Sequence, residues 1–168
     1  MTLPLFPPAK SFVAKQPLGL LVPRCGLCGL DKTCKTKYMP VSGKGMKCIV
    51  IVGEAPGRDE DEQGVPFVGA AGEVLKRSLR KLDVDLKEDC WVTNALICRP
   101  PDNEIEAEKS ISYCRPNLIK AIQTYKPEKI ILLGSSAVKS VLGWLYASDC
   151  GGITRWAGWQ IPDQKLKS

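Results

Sequence analysis

The stretch Lys47-Cys48-Ile49-Val50-Ile51-Val52-Gly53 decides the fold. It is a short continuous apolar run closed by glycine, which reads as a strand covered on both faces. Two further runs have the same form, Cys90-Trp91-Val92-Thr93-Asn94 and Lys129-Ile130-Ile131-Leu132-Leu133. Each ends at a polar residue or a glycine, as strands do when they deliver a loop to a site. Between the first two runs, Val74, Leu75, Leu79 and Leu82 recur at helical spacing with Lys and Arg between them, which predicts an amphipathic helix over 70–82. Between the second and third, Ile111, Leu118, Ile119 and Ile122 form a similar stripe over about 106–125, with Pro116 marking a kink or boundary. After the third, Ser135 or Ser136 is placed to cap a helix that runs to Leu142 and closes at Gly143.

Alternation of this kind predicts an α/β fold: a three-layer sandwich with a central parallel sheet, helices on both faces and right-handed crossovers. Ligands then belong at the carboxyl ends of the strands. The polar and glycine-rich loops sit there, at Gly53 to Gly57, at Asn94 and at Gly134 to Ser136.

At 168 residues the chain has room for one domain with a real core. We place that domain at 24–168 and read 1–23, rich in proline and apolar residues, as an extended arm. The arm lacks the basic start and uninterrupted apolar core of a signal peptide, and no run is long enough for a membrane span. The expectation is a monomer located in the cytoplasm, bacterial or phage-encoded. A formal charge of +6 suits a polyanionic partner without requiring one.

Eight cysteines stand at positions 25, 28, 34, 48, 90, 98, 114 and 150. Without a secretory signal they point to metal or cluster ligation rather than to disulfides. Cys48 and Cys90 fall inside apolar runs and read as small buried hydrophobes. Cys25-Gly26-Leu27-Cys28 sets two thiols on one turn, and Cys98 with Cys114 makes a second pair. Four thiolates hold either zinc or a 4Fe-4S cluster, and spacing does not choose between them. Cys28 with Cys34 is an alternative first pair.

The loop after the first strand runs Gly53-Glu54-Ala55-Pro56-Gly57-Arg58-Asp59-Glu60-Asp61-Glu62-Gln63-Gly64-Val65-Pro66-Phe67-Val68-Gly69-Ala70-Ala71-Gly72. It has neither the lysine of a phosphate-binding Walker loop nor the close glycines of a dinucleotide fingerprint. Its Gly-Glu-Ala-Pro-Gly, Glu-Asp and Gly-x-Pro-Phe-Val-Gly-x-Ala-Gly elements resemble family 4 uracil-DNA glycosylases, the iron-sulfur type. Thr93-Asn94 followed by Cys98-Arg99-Pro100-Pro101, and Tyr113-Cys114-Arg115-Pro116-Asn117-Leu118, resemble the same family. The resemblance covers about residues 25–142.

The resemblance implies a uracil-DNA glycosylase-like sandwich that acts on uracil flipped out of DNA, with replication proteins as further candidate partners. It implies a 4Fe-4S cluster on Cys25, Cys28, Cys98 and Cys114, with zinc the less favoured alternative and Cys34 a neighbouring thiol. Phe67 would stack on the uracil ring, Asn94 would hydrogen-bond its amide-like edge, and the backbone of Gly53, Glu54 and Ala55 would line the pocket. Glu54 and Glu60 would orient water or stabilise the sugar cation, whereas Glu62 reads as a solvated charge. The family also carries a His-Pro-Ser loop after a later strand. This chain has no histidine, and a shortened terminal strand region and a weakly active or inactive DNA-binding relative follow as the alternative expectation. Trp156 and Trp159 read as core residues of a terminal hairpin, with base stacking the sharper alternative. Arg77, Arg80 and Lys81 read as a solvated helix face.

Overall fold

A computed structural model describes residues 25–104, 107–146 and 150–162. The arm expected over 1–23 lies outside the described residues. Three parallel strands form one sheet in the order β2-β1-β3, with β1 at Ile49–Gly53, β2 at Cys90–Asn94 and β3 at Lys129–Leu132. Ile51 pairs with Val92 on one side and with Ile131 on the other. The run that decided the fold is therefore the central strand, and all five of its residues are buried.

Successive residues of a strand face opposite sides, so one strand can feed two cores. Val50, Val52 and Trp91 pack with Leu118, Ile122, Val138 and Leu142, which belong to α3 (Ala107–Tyr125) and α4 (Ser135–Tyr146). Ile49, Ile51, Cys90 and Val92 pack on the other face with Leu79 of α2 (Ala70–Arg80) and with Val84 and Leu86. Helix, sheet and helix make the expected three layers. Each fully buried Ile, Val or Leu in them contributes about 1.5–3 kcal/mol relative to exposure.

Four expectations need correction. The stripe on α2 is narrower than predicted: Val74 and Leu82 are 54% and 51% exposed. The helix ends at Arg80, and Leu82 falls in the following turn, where Asp83 has φ 55. Helix α3 passes through Pro116 without a break. Pro116 and Ser112, whose carbonyl loses its intrahelical donor, both lie on the exposed side, where water replaces the missing bond. Helix α4 passes through Gly143 and is described to Tyr146. Burial of Leu142 and Leu145 on either side outweighs the roughly 1 kcal/mol helix penalty of glycine. The expected terminal hairpin is a short helix, α5 (Ile153–Trp156). Trp156 is half-buried, with its indole N–H donating to the Cys150 carbonyl at 2.7 Å, but Trp159 is 71% exposed. A further helix, α1 (Arg58–Gln63), lies inside the long glycine-rich loop. Cys48 and Cys90 are buried as expected, Cys90 within β2 and Cys48 just before β1.

Candidate functional site

The loops after β1, β2 and β3 meet at the carboxyl end of the sheet. Backbone hydrogen bonds continue past the strands: Ala95 N–H donates to the Gly53 carbonyl at 2.8 Å, Leu96 N–H to Glu54 at 2.9 Å, and Leu133 N–H to Val52 at 2.8 Å. Phe67 and Asn94 converge on Gly53. A Cβ at position 53 would stand 2.4 Å from Asn94 Oδ1 and 2.6 Å from Phe67 Cζ, so only glycine leaves room for both. Phe67 itself has φ 58, a left-handed conformation that costs a non-glycine residue about 1–3 kcal/mol and is characteristic of functional sites. The first turn of α2 holds it there, because the Phe67 carbonyl oxygen occupies the place a Cβ of Gly72 would need, 2.0 Å away. An aromatic ring and a buried carboxamide, which carries both a donor and an acceptor, thus meet at the end of the central strand.

The carboxylates are engaged with backbone. Glu60 Oε1 accepts from Gly69 N–H at 2.7 Å and Oε2 from Gly57 N–H at 3.1 Å, which clips together the two ends of the loop that carries Phe67. Glu54 Oε1 accepts from Ser136 N–H at 2.9 Å, at the start of α4, where the unpaired amides and helix dipole favour an anion. Asp61 is buried and serves a different segment. Its Oδ1 accepts from Thr36 N–H at 2.8 Å and its Oδ2 from Lys35 N–H at 3.0 Å. Glu62 is exposed and pairs with Lys35.

Cys25, Cys28, Cys98 and Cys114 line a single cavity with Asp31, Tyr38, Ile97 and Asn117. Cys98 and Cys114 are buried, and Cys25 and Cys28 are half-buried. Burial pushes the Cys114 thiol up to about 12, against the opposing pull of the Ile97 N–H and the Asn117 amide. Burial also raises Cys98, with the Tyr38 N–H opposing at 3.4 Å from its sulfur. Cys25 is raised by burial too, again against an Asn117 hydrogen bond. Among the described residues no group of three Cys, His, Asp or Glu side chains is set to hold one metal ion. Four thiols lining one cavity are a donor set that a multi-iron cluster takes, as zinc also does.

Sequence reasoning missed Asn117. Its amide reaches the Cys114 sulfur at 3.9 Å and also hydrogen-bonds Cys25, while its Oδ1 is buried without a partner. The signal was present in its place one helical turn after Cys114. It also missed the contact of Glu54 with α4 and the clip made by Asp61, whose partners are backbone groups far along the chain.

A doubly covered parallel sheet with its loops gathered at one end, and a four-thiol cavity beside them, defines a class of three-layer α/β protein with a thiol site next to its carboxyl-end loops. Residues 42–163 match the Uracil DNA glycosylase superfamily, and the chain belongs to that superfamily. It is 42% identical over 117 residues to the type-4 uracil-DNA glycosylase of Archaeoglobus fulgidus, a match covering 70% of this chain and 58% of that protein. The type-4 uracil-DNA glycosylase of Pyrobaculum aerophilum is 41% identical over 127 residues, or 76% of this chain and 64% of that one. For the type-4 enzyme of Saccharolobus solfataricus the figures are 40% over 113 residues, 67% and 52%. The chain therefore spans between 52% and 64% of the length of these relatives. Among the described residues no helix is long and apolar enough to cross a membrane.

Proposed function

We propose that this chain removes uracil from DNA, cleaving the N-glycosidic bond of a flipped-out nucleotide. The observation that carries the reading is the convergence of Phe67 and Asn94 on Gly53 at the end of the central strand. In it, Phe67 stacks on the uracil ring and Asn94 pairs with its amide-like edge, while the backbone of Gly53, Glu54 and Ala55 lines the wall. Leaving uracil takes on negative charge as the sugar becomes positive, so donors aimed at the base and a carboxylate near the sugar both lower the barrier. Glu54, next to Gly53 in the chain, is the carboxylate that takes the catalytic role. Glu60, with both oxygens on loop amides, is a positioning residue that acts through Phe67.

Cys25, Cys28, Cys98 and Cys114 would hold a 4Fe-4S cluster. When bound, the cluster would supply a structural cross-link between residues 25–39, the loop that follows Asn94 and α3, and would take no part in bond cleavage. A formal charge of +6 suits DNA as partner; on this reading the chain acts as a monomer, and replication proteins are further candidates.

The 168 residues contain no histidine, and this favours a second reading: a DNA-binding relative that does not turn over. Losing one donor to the departing oxygen typically costs about a hundredfold to a thousandfold in rate. A single-turnover assay on DNA carrying one uracil separates the two, with free uracil read directly for the wild-type chain and for Asn94→Ala. Release that falls by about a hundredfold or more in the variant establishes the glycosylase. Salt-sensitive DNA binding with no release from either protein establishes the binding module.

A further inference from the structure

Helix α5 and the turn after it sit at the same end of the sheet as Gly53, on the side away from Asn94. Ile153 N–H donates to Ser135 Oγ at 3.3 Å, and Ser135 opens α4 next to Ser136, whose N–H holds Glu54. With the strand order β2-β1-β3, Asn94 closes β2 on one flank of the central strand, and α5 stands beside the loop that follows β3 on the other.

Most of the large apolar side chains of this segment pack inward. Ile153, Trp156 and Ile161 lie against the core cluster that contains Val138, Val141 and Leu142. Trp159 does not. Gly158 turns the chain at φ 80, Trp159 N–H donates to the Trp156 carbonyl at 3.1 Å, and the indole is left 71% exposed, more than any other large apolar side chain among the described residues. Arg155 is exposed beside it, with its guanidinium carbon 5.7 Å from the centre of the Trp156 ring, within cation–π range. Among the described residues its charge meets no carboxylate, and 150–162 contain no acidic residue. A fixed cation and a bare aromatic face four residues apart, on a chain of formal charge +6, are complementary to a strand that alternates phosphates with flat bases.

We propose that Arg155 and Trp159 form a docking surface for single-stranded DNA next to the site, Arg155 taking a phosphate and Trp159 stacking on an unpaired base. The guanidinium offers a planar fork of donors to phosphate oxygens. The indole distinguishes single strands from duplex, because in a duplex both faces of each base are already covered by its neighbours. This surface rests on the reading of DNA as partner given above, but not on cleavage.

The test uses the full chain and a labelled oligodeoxythymidylate, which carries no uracil, with a duplex of equal length for comparison. Binding is followed by fluorescence anisotropy at several salt concentrations. Trp159→Ala should weaken single-strand binding roughly tenfold, with duplex binding little changed and the salt dependence unaltered. Arg155→Ala should lower the slope of log K against log salt by about 0.7. The oligonucleotide should quench the tryptophan fluorescence of the wild type, and Trp159→Phe should lose that quenching while keeping most of the affinity. Circular dichroism of each variant should match the wild type, since both side chains are exposed.

Equal single-strand affinity of the wild type and Trp159→Ala, an equal loss on single strand and duplex, or no binding by the wild type overturns the proposal. So does a Trp159 that acrylamide fails to reach in the free protein, because another part of the chain then covers it. A chain that binds single strands through Trp159 yet releases no uracil defeats the glycosylase reading alone. Uracil release from single-stranded DNA with the same kcat/KM in Trp159→Ala as in the wild type defeats this proposal alone.

Discussion

The group of Gly53, Phe67 and Asn94 and the thiol cavity are built by opposite means. Gly53 and Asn94 end strands in which every residue is buried, and they are paired to each other in register. The cavity takes two of its four sulfurs from residues 25–39, where the only regular element is a three-residue 3-10 turn at Leu30–Lys32. A side chain on a central strand inherits its position from the hydrogen-bond ladder and the two cores. A side chain on an irregular segment is placed only by tethers, here Asp61, the Ile97 carbonyl and whatever the thiols bind. Burial follows the same division: Asn94 is 4% exposed, whereas Cys25 and Cys28 remain half-buried.

Metal removal should break this symmetry most strongly. If a cluster is the main tether, stripping it under reducing conditions releases residues 25–39, because binding free energy at such a site is folding free energy for the segment that supplies the ligands. Trypsin should then cut at Lys32, Lys35 or Lys37 while the amides of Ile49 to Val52 keep their protection in hydrogen exchange. Strand amides that lose protection in parallel would show that the two regions share one stability.

Gly53→Ala is the reciprocal experiment. The new Cβ meets Asn94 Oδ1 and the Phe67 ring at 2.4 and 2.6 Å, so those side chains must move by about an ångström. A displacement of that size costs roughly a hundredfold in rate where geometry is catalytic, about 2.7 kcal/mol in the barrier. On the glycosylase and cluster readings proposed above, kcat/KM for uracil release should fall by that factor with iron content unchanged. Full activity in this variant would place the base elsewhere.

How much of this was legible in the sequence follows the same line. The strands, their parallel order and the loops at their carboxyl ends could be read from short apolar runs closed by glycine or a polar residue, because a doubly buried strand leaves that mark on every one of its residues. Gly53, Phe67 and Asn94 were legible as a group through the family resemblance, and geometry brings them together. Glu60 was not. A carboxylate that clips two backbone amides and one that orients water look alike in a sequence, since the partners of the first are N–H groups that every residue carries. Asp61 was hidden for the same reason, its partners lying 25 and 26 residues upstream. The end of α2 and the passage of α4 through Gly143 depended on packing, which outweighs local propensity by a few kcal/mol.

Asp61→Ala tests the protein tether of the irregular segment. It leaves the Lys35 and Thr36 amides without their acceptor in a part-buried place, and removing one partner of a buried hydrogen bond costs about 1–3 kcal/mol. Chemical denaturation should show a loss of that size, and the variant should release its metal faster, with the rate of uracil release from loaded protein little changed. A stable variant with unchanged metal retention would mean that the thiol site alone holds the segment.

Glu62→Ala completes the comparison at the smallest scale, one residue along the same helix. Its carboxylate pairs with Lys35 Nζ at 2.6 Å, and the side chains are 59% and 63% exposed. Glu62 raises the Lys35 pKa through this hydrogen bond and its charge. In open solvent such attraction is screened by salt and offset by the ordering of two long side chains. The melting temperature and metal retention of Glu62→Ala should therefore match the wild type at physiological ionic strength. The contrast with Asp61 lies in what donates the bond: Asp61 satisfies backbone amides that have nowhere else to turn, whereas the Lys35 ammonium exchanges Glu62 for water. A melting temperature lowered as far as in Asp61→Ala would make the exposed pair a second clip on the segment.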